Sequence, residues 1–538
     1  MKQKVLVFIL VLVLLGIIDS GYLTYEHYAK TVPPCSTSIF IDCGKVLRSK
    51  YAVMFGIPLA VIGVIHYGLL TIFTLFAWVS HSRPAKGGVN SSGNLFNWIP
   101  DQVRNDKLWK YFVVIQSTVG AFASVYFMYL QLGVIGSICL YCTFSAIISF
   151  IIFGLAMIFL RKEKKELALV LFAIFYQKIL KNIFFLIDAE IIHESMLSTG
   201  EILGNIFPVK YSISRLTKYK DSSLKQKISS INFETPVGLA AGFDYEAKLP
   251  LITPALGFGL QTIGTITNMP YEGNPKPRLG RLPKSKSLMV NKGFKNEGAL
   301  QIVKRLEGLR FDIPIGISIG RTNSPKLPTL KQSIEDIVEC FIKLQTSNLK
   351  HSYYELNISC PNIIHGSDIT FYPPKNLKTL LAEVEKLRIN KPVFVKMPIE
   401  KSDRETFNML DVISKYKIAG VIIGNLQKNR KDPALVQQEV RKWKVGNFSG
   451  KPTFNRSNEL IKLAYKKFCQ KLVIVGCGGI FNPDDAYTKI KLGASLIQLI
   501  TGMIFQGPQL ITQINYGLID RLKEDGFKNI KDAVGIEV

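Results

Sequence analysis

Residues 471–479, KLVIVGCGG, form an apolar, β-branched run that stops at a pair of glycines. The run is too short for an ordinary helix and is bounded by turn residues, so it reads as a buried strand. A helix-patterned stretch follows, and then a second run at 495–501, SLIQLIT. Outward toward the N-terminus the same strand-then-helix unit recurs at 419–425 (AGVIIGN), 392–398 (PVFVKMP), 353–360 (YYELNISC), 313–320 (IPIGISIG), 260–267 (LQTIGTIT) and 236–243 (PVGLAAGF). Eight consecutive units predict an α/β fold, a parallel (β/α)8 TIM barrel in preference to an open doubly wound sheet.

The first third of the chain is different material. Residues 1–160 hold 11 Lys and Arg and 5 Asp and Glu, against 56 and 35 in residues 161–538. A low-charge, apolar third joined to a basic two-thirds excludes a disordered chain and a purely soluble one. The net charge of +27 raises the question of nucleic acid. Basic residues such as Lys162, Lys284, Lys428 and Lys442 are scattered, with no zinc-finger or helix-turn-helix spacing, so no nucleic-acid partner is expected. A basic chain tethered to an anionic lipid leaflet accounts for the charge more simply.

Apolar stretches at 5–23 and 51–80, and two more within 111–160 that turn near Gly133 and Gly136, predict an N-terminal bundle of four transmembrane helices. Eleven positive residues flank one side of these spans (Lys2, Lys4, the 81–110 loop and the 161–165 exit) and four the other. The positive-inside rule makes the first side cytoplasmic, so 28–54 and 134–142 face outward. Residues 167–187 are apolar but interrupted by Gln177, Lys178, Lys181 and Asn182, which predicts a helix lying in the membrane interface rather than a fifth crossing.

That orientation puts Cys35, Cys43, Cys139 and Cys142 at the outer face, where oxidising chemistry is possible. A helix N-terminus lowers a thiol pKa, and Cys139-Leu-Tyr-Cys142 opens the fourth helix, so the four point to thiol–disulfide exchange. Zinc is the other four-cysteine chemistry, although C-x7-C and C-x2-C on separate membrane segments is unusual spacing for it. In the barrel, polar residues converge at the C-terminal strand ends: Thr265, Asn357, Cys360, Asn362, Lys396 and Asn425. Gly478-Gly479 and Thr501-Gly502 follow strands seven and eight, where barrels commonly hold phosphate with backbone N–H groups. Together they suggest a phosphate-bearing cofactor beneath a small polar substrate. No Asp, Glu and His cluster suggests a catalytic metal.

Cys35-x7-Cys43, Ser49, Gly56-Ile57-Pro58 and Cys139-x-x-Cys142 resemble the vitamin K epoxide reductase family over about residues 1–160. The resemblance implies that electrons enter through Cys35 and Cys43 from a separate periplasmic thioredoxin-like thiol oxidase. They then pass to Cys139 and Cys142 and leave to a quinone near Ser49.

Pro236-Val-Gly-Leu-Ala-Ala-Gly-Phe-Asp244, Gly273-Asn-Pro-Lys-Pro-Arg278 with Arg281-Leu-Pro283, Asn357-Ile-Ser-Cys-Pro-Asn362 and Gly493-Ala-Ser-Leu-Ile-Gln498 resemble dihydroorotate dehydrogenase over about residues 170–538. Asp188-Ala-Glu190-Ile-Ile-His193 resembles the entry motif of its membrane-associated, quinone-using class. The resemblance implies oxidation of dihydroorotate to orotate with FMN, and ubiquinone or menaquinone as acceptor, in pyrimidine biosynthesis. It implies Cys360 as the base that removes the C5 proton and Lys396 against the flavin. Asn291, Asn357, Asn362 and Asn425 would bind the pyrimidine, and Ala241, Gly242, Thr265, Asn357, Lys396, Gly450, Gly479 and Thr501 the flavin. His193 and Arg281 would face the quinone.

The chain departs from the family pattern at several of these positions. Cys360 is the base of the soluble class on a membrane-class chain. Tyr245 replaces the lysine that follows Gly-Phe-Asp, with Lys248 three residues on as the nearest substitute. Ser318 stands for an Asn and Ile500 for a Tyr, and Asn291 is one place displaced in its motif. A related reduced pyrimidine is therefore the alternative substrate, and activity of one half alone the alternative organisation. The expected organisation is a redox membrane domain at 1–165, interfacial and quinone-tunnel helices at 166–225, and an FMN barrel at 226–538. The protein is expected in the inner membrane, with the barrel on the cytoplasmic side.

Overall fold

The computed structural model describes residues 2–31, 33–35, 41–54, 56–81, 106–159, 164–218, 221–364 and 369–538. Arg83, Lys86, Arg104, Arg161 and Lys162, on which much of the orientation argument rests, lie outside them. The chain forms two compact units, Met1–Leu167 and Ala168–Val538.

In the first unit four helices pack in a ring: α1 (Lys2–Ala29), α2 (Leu59–His81), α3 (Asp106–Tyr129) and α4 (Leu140–Phe159). Ile9, Val13, Tyr67, Leu70, Val113, Ile148 and Ile152 form the core of the ring. Its outer surface carries exposed Phe8, Val11, Ile65, Phe122 and Phe150, so the helices are apolar all round. Each contains a stretch long and apolar enough to cross a membrane, and so does Ala168–Leu186 in the second unit. At one end of the ring a short helix, Cys43–Leu47, is capped by Asp42, whose carboxylate accepts from Lys45 N at 3.0 Å. The link between α3 and α4 is a π-helical turn, Leu130–Ile135, ended by Gly136 at φ +66°.

The second unit begins within the helix Lys164–Phe175. That helix continues through a π-helical turn, Tyr176–Leu180, into Lys181–Leu186. Asp188 then caps α5 (Ala189–Asn205) by accepting from Glu190 N and Ile191 N, and α6 (Phe207–Thr217) follows. The eight expected strands are all present: β1 (Val237–Leu239), β2 (Leu260–Ile266), β3 (Ile315–Ile319), β4 (Tyr353–Asn357), β5 (Val393–Met397), β6 (Gly420–Ile423), β7 (Val473–Cys477) and β8 (Leu496–Leu499). Neighbours pair in parallel, and β8 pairs with β1 to close the barrel.

Strand alternation decides what faces the barrel interior. In β4, Tyr354 and Leu356 point outward into the strand–helix core, leaving Tyr353, Glu355 and Asn357 on the inner face. A hairpin, Gln226–Ile228 with Ile231–Phe233, closes the N-terminal mouth: Phe233 packs against Leu260, Tyr353, Phe394, Ile422, Val475 and Leu496. The polar inner residues therefore gather at the opposite, C-terminal mouth. A three-stranded antiparallel sheet, Leu279–Leu282, Ser287–Val290 and Asn447–Phe448, stands beside it.

Candidate active sites

At the C-terminal mouth of the barrel lies a cavity lined by Ala241, Gly242, Thr265, Asn357, Cys360, Asn362, Lys396, Asn425 and Thr501. Nine residues expected at the site are thus brought to one place from six of the strand ends and their loops. Gly242, at φ +111°, lets the backbone after β1 turn along the cavity wall in a conformation that L side chains rarely adopt.

A chain of hydrogen bonds runs around the barrel under this cavity. Asn357 Nδ2 donates to Thr265 Oγ1 at 2.8 Å, Thr265 Oγ1 is 2.8 Å from Ser318 Oγ, and Ser318 Oγ donates to Glu355 Oε1 at 2.6 Å. The direction is set from both ends: Ser359 N can only donate, so Asn357 Oδ1 faces it and Nδ2 faces Thr265, and the Ser318 proton goes to Glu355, so Thr265 donates to Ser318. On its other side Asn357 Oδ1 accepts from Ser359 N and Ser359 Oγ, and Asn425 Nδ2 donates to the Ser359 carbonyl at 2.9 Å.

Lys396 projects from the end of β5 with its side chain 6% exposed, 3.8 Å from Glu355 Oε1 and 3.3 Å from the Ala241 carbonyl. Glu355 is fully buried, and its second carboxylate oxygen has no partner among the described residues. Sequence reasoning missed Glu355, although strand alternation from Asn357 would have turned both residues to the same face. Cys360 lies in the loop after β4, and burial pushes its thiol up to about 11. An ordinary thiol titrates at about 8.5, so burial leaves Cys360 far less ionised at neutral pH than a free cysteine.

Three expectations at the rim are also corrected. Asn291 does not line the cavity: Val290 and Lys292 do, and the intervening side chain turns away, where its Oδ1 accepts from Asn274 Nδ2 at 3.1 Å. Lys248 is spent on a surface ion pair with Glu246 at 3.1 Å. The cation beside Tyr245 is Lys292, which sequence reasoning missed: its ammonium lies 5.2 Å from the centroid of the Tyr245 ring, and the residue is 3% exposed. Gly450 and Gly479 lie behind the cavity wall. A Cβ on Gly450 would meet the Lys286 carbonyl at 2.4 Å, and one on Gly479 would meet Phe454 Cβ at 2.5 Å. Both have positive φ, so they shape close backbone approaches. Ser449 and Thr501, whose hydroxyls are 2.8 Å apart, line the cavity there instead.

His193 enters the cavity from α5. Its Nδ1 is 3.1 Å from Lys292 Nζ and its Nε2 is 2.8 Å from the Phe243 carbonyl. The ammonium donates to Nδ1, so the ring proton is on Nε2 and the imidazole is neutral. Burial, reinforced by Lys292, holds its pKa down to about 3, and burial lowers that of Lys292 to about 8. Arg281 lies farther out: it donates to the Ile187 carbonyl at 2.5 Å and stands 4.8 Å over the Phe185 ring.

In the first unit Cys35 and Cys43 form a disulfide. The sulfur of Cys139 lies within 4.8 Å of both, all three residues being buried. The disulfide leaves two of these sulfurs without the thiolate charge that zinc requires. Cys142 N donates to Cys139 Sγ at 3.5 Å, and the Cys142 thiol pulls the pKa of Cys139 down. Cys142 and Ser49 border a second, mostly apolar cavity among the four helices.

Residues 223–522 match the family model of dihydroorotate dehydrogenase, and residues 7–157 that of the vitamin K epoxide reductase family. Dihydroorotate dehydrogenase (quinone) of Trichodesmium erythraeum is 35% identical over 340 residues, spanning 61% of this chain and 87% of that protein. The protein of the same name from Nostoc punctiforme is 33% identical over 362 residues, 65% of this chain and 94% of its own. The crystal structure of DHODH from Eimeria tenella in complex with ferulenol aligns with a TM-score of 0.54 at 26% identity, over 65% of this chain and 96% of that one.

Proposed function

From the premise that this chain belongs to the dihydroorotate dehydrogenase family, we propose that its barrel oxidises dihydroorotate to orotate and passes the electrons to a membrane quinone. The observation that carries the reading is the cavity itself, where a thiol, a buried ammonium and three asparagines converge at the C-terminal mouth of the barrel. The residues fit FMN. Thr265, Asn357 and Lys396 present polar groups to the flavin side, and Gly450, Gly479 and Thr501 shape a backbone wall that suits its phosphate. FMN, when bound, supplies the hydride acceptor and the link to the quinone.

The chain's own residues do the rest. Asn357, Asn362 and Asn425 hold the pyrimidine, and the Asn357 amide is oriented by Ser359 N on one side and Thr265 on the other. Cys360 Sγ takes the proton from C5 of the substrate. Lys396 balances negative charge that gathers opposite it during hydride transfer, with Glu355 holding its ammonium in place. Lys292 supplies the cation that Tyr245 does not. A second buried ammonium favours a carboxylated pyrimidine over an uncharged one, and so dihydroorotate over the related reduced pyrimidines. His193 and Arg281 would lie on the quinone side.

The first unit is proposed as a thiol–quinone oxidoreductase with four membrane-crossing helices, its cysteines outside and the barrel in the cytoplasm. A separate thioredoxin-like protein would deliver electrons to Cys35 and Cys43. The fifth apolar helix fits the interface better than a crossing. Tyr176 already donates to the Ile504 carbonyl at 2.8 Å and Gln177 to Gln506 Oε1 at 2.7 Å. Ahead of these bonds the apolar stretch is 168–175, about 12 Å of helix against a hydrocarbon core of about 30 Å. The test is the flavin spectrum of purified protein: dihydroorotate should bleach it and a short-chain quinone restore it. A spectrum untouched by dihydroorotate would exclude the reading.

A further inference from the structure

Asp19 is an acidic residue in the middle of α1, on a stretch whose neighbours are apolar. An ionisable group at that depth is expensive and needs a reason. The hydroxyl groups around it have their partners, whereas His66 Nε2, on the wall of the four-helix cavity, shares the lack of one among the described residues. Ser20 Oγ donates to the Gly16 carbonyl, Thr24 Oγ1 to the Ser20 carbonyl, and the Tyr67 hydroxyl bonds Ser145 and Ser149. Asp19 is 6% exposed, and its Oδ2 has no hydrogen-bond partner among the described residues.

Its position explains what packing does not. Two cavities meet at Asp19: one is bordered by Cys142 and Ser49, the other by Cys35 and Tyr141. A buried, unpaired carboxyl beside a dithiol and an apolar cavity is placed where protons must move, because thiols release protons on oxidation and a quinone takes them up on reduction.

We propose that Asp19 is the proton carrier between the Cys139–Cys142 dithiol and the quinone, an inference that rests on reading the first unit as a thiol–quinone oxidoreductase. Two S–H bonds break, one S–S bond forms, and two electrons pass from sulfur to the quinone. The carboxylate takes each thiol proton in turn and returns it to a quinone oxygen. Two O–H bonds form, the product is the quinol, and Asp19 ends as it began.

The experiment uses the full chain in lipid nanodiscs, reduced beforehand, with a short-chain ubiquinone or menaquinone as oxidant. Formation of the Cys139–Cys142 disulfide is followed by rapid quench and alkylation. Asp19→Asn should slow it by about 10²–10⁴-fold, the range for a lost general acid–base group. Quinone affinity and dihydroorotate oxidation should be unchanged, and Asp19→Glu should recover part of the loss. Alkylation of the reduced cysteines should not slow in Asp19→Asn, since removing a negative charge favours the thiolate. A merely structural residue predicts the opposite pattern, weaker quinone binding with transfer intact.

A second measurement needs no variant. Time-resolved infrared spectra of the wild type should show a protonated-carboxyl band that rises and decays with thiol oxidation and moves on isotopic labelling of aspartate. Wild-type turnover with Asp19→Asn within about threefold, or without that band, overturns the proposal alone. Wild-type thiols that never reduce the quinone remove the underlying reading and the proposal with it.

Discussion

A thiol raised to about 11 is almost wholly protonated at neutral pH, roughly one part in 10⁴ being thiolate. Flavin reduction by dihydroorotate should therefore rise about tenfold per pH unit from 7 toward 10 if Cys360 is the base. Cys360→Ala should keep bound FMN and lose about 10²–10⁴-fold in that step, and stopped-flow bleaching at several pH values measures both. Near-wild-type reduction by the Ala variant would remove Cys360 from the mechanism. Lys292 predicts an opposing trend in a different parameter. Its ammonium is complete below about 8 and is lost above it, so KM for dihydroorotate should climb at alkaline pH while kcat still rises. Lys292→Met should raise KM by about tenfold or more at pH 7, and a KM equal to the wild type's would show that the cation does not read the carboxylate. Cys360 was legible because it lies inside a contiguous motif. Lys292 was not, because it reaches the cavity from the end of a short strand outside the barrel, where nothing in the sequence says which of two neighbours turns inward.

Elements were more readable than side chains for a related reason. Each barrel strand is buried on both faces, so it announces itself as a short, largely apolar, β-branched run, and eight such runs with helices between them admit few topologies. The segment after residue 167 is harder: its polar interruptions favour an interfacial helix, while its length and apolar content also suffice for a span. The hydrogen bonds from Tyr176 and Gln177 to the barrel, which support the interfacial reading, are visible only in the fold. Spin labels at Leu171→Cys and Ile183→Cys should report similar, shallow depths in a bilayer. One label near the midplane, with the other in water, would establish a fifth crossing.

For the molecule as a whole, the sequence assigned sidedness through loop charges, most of which lie outside the described residues, so topology calls for direct measurement. Impermeant thiol reagents applied to reduced cells should reach Cys35 and not Cys469, an exposed barrel cysteine that serves as control after lysis. Labelling of Cys469 first would invert the arrangement. Cys139→Ala should block thiol oxidation by quinone and leave dihydroorotate oxidation nearly intact, because each unit holds its own complete cavity. Equal loss of both activities in folded protein would show that the two reactions share a step.

The hydrogen-bond chain from Asn357 to Glu355 gives the barrel a property that atom positions alone do not contain. Its protons all point one way, and that polarity is information, held at one end by the Ser359 backbone N–H on the Asn357 amide and at the other by a carboxylate that takes the Ser318 proton. Glu355→Gln would keep the shape of that end yet make the message ambiguous at the Ser318 and Thr265 hydroxyls, since an amide both gives and receives. Errors of recognition could then arise in a site whose crystal structure looks perfect.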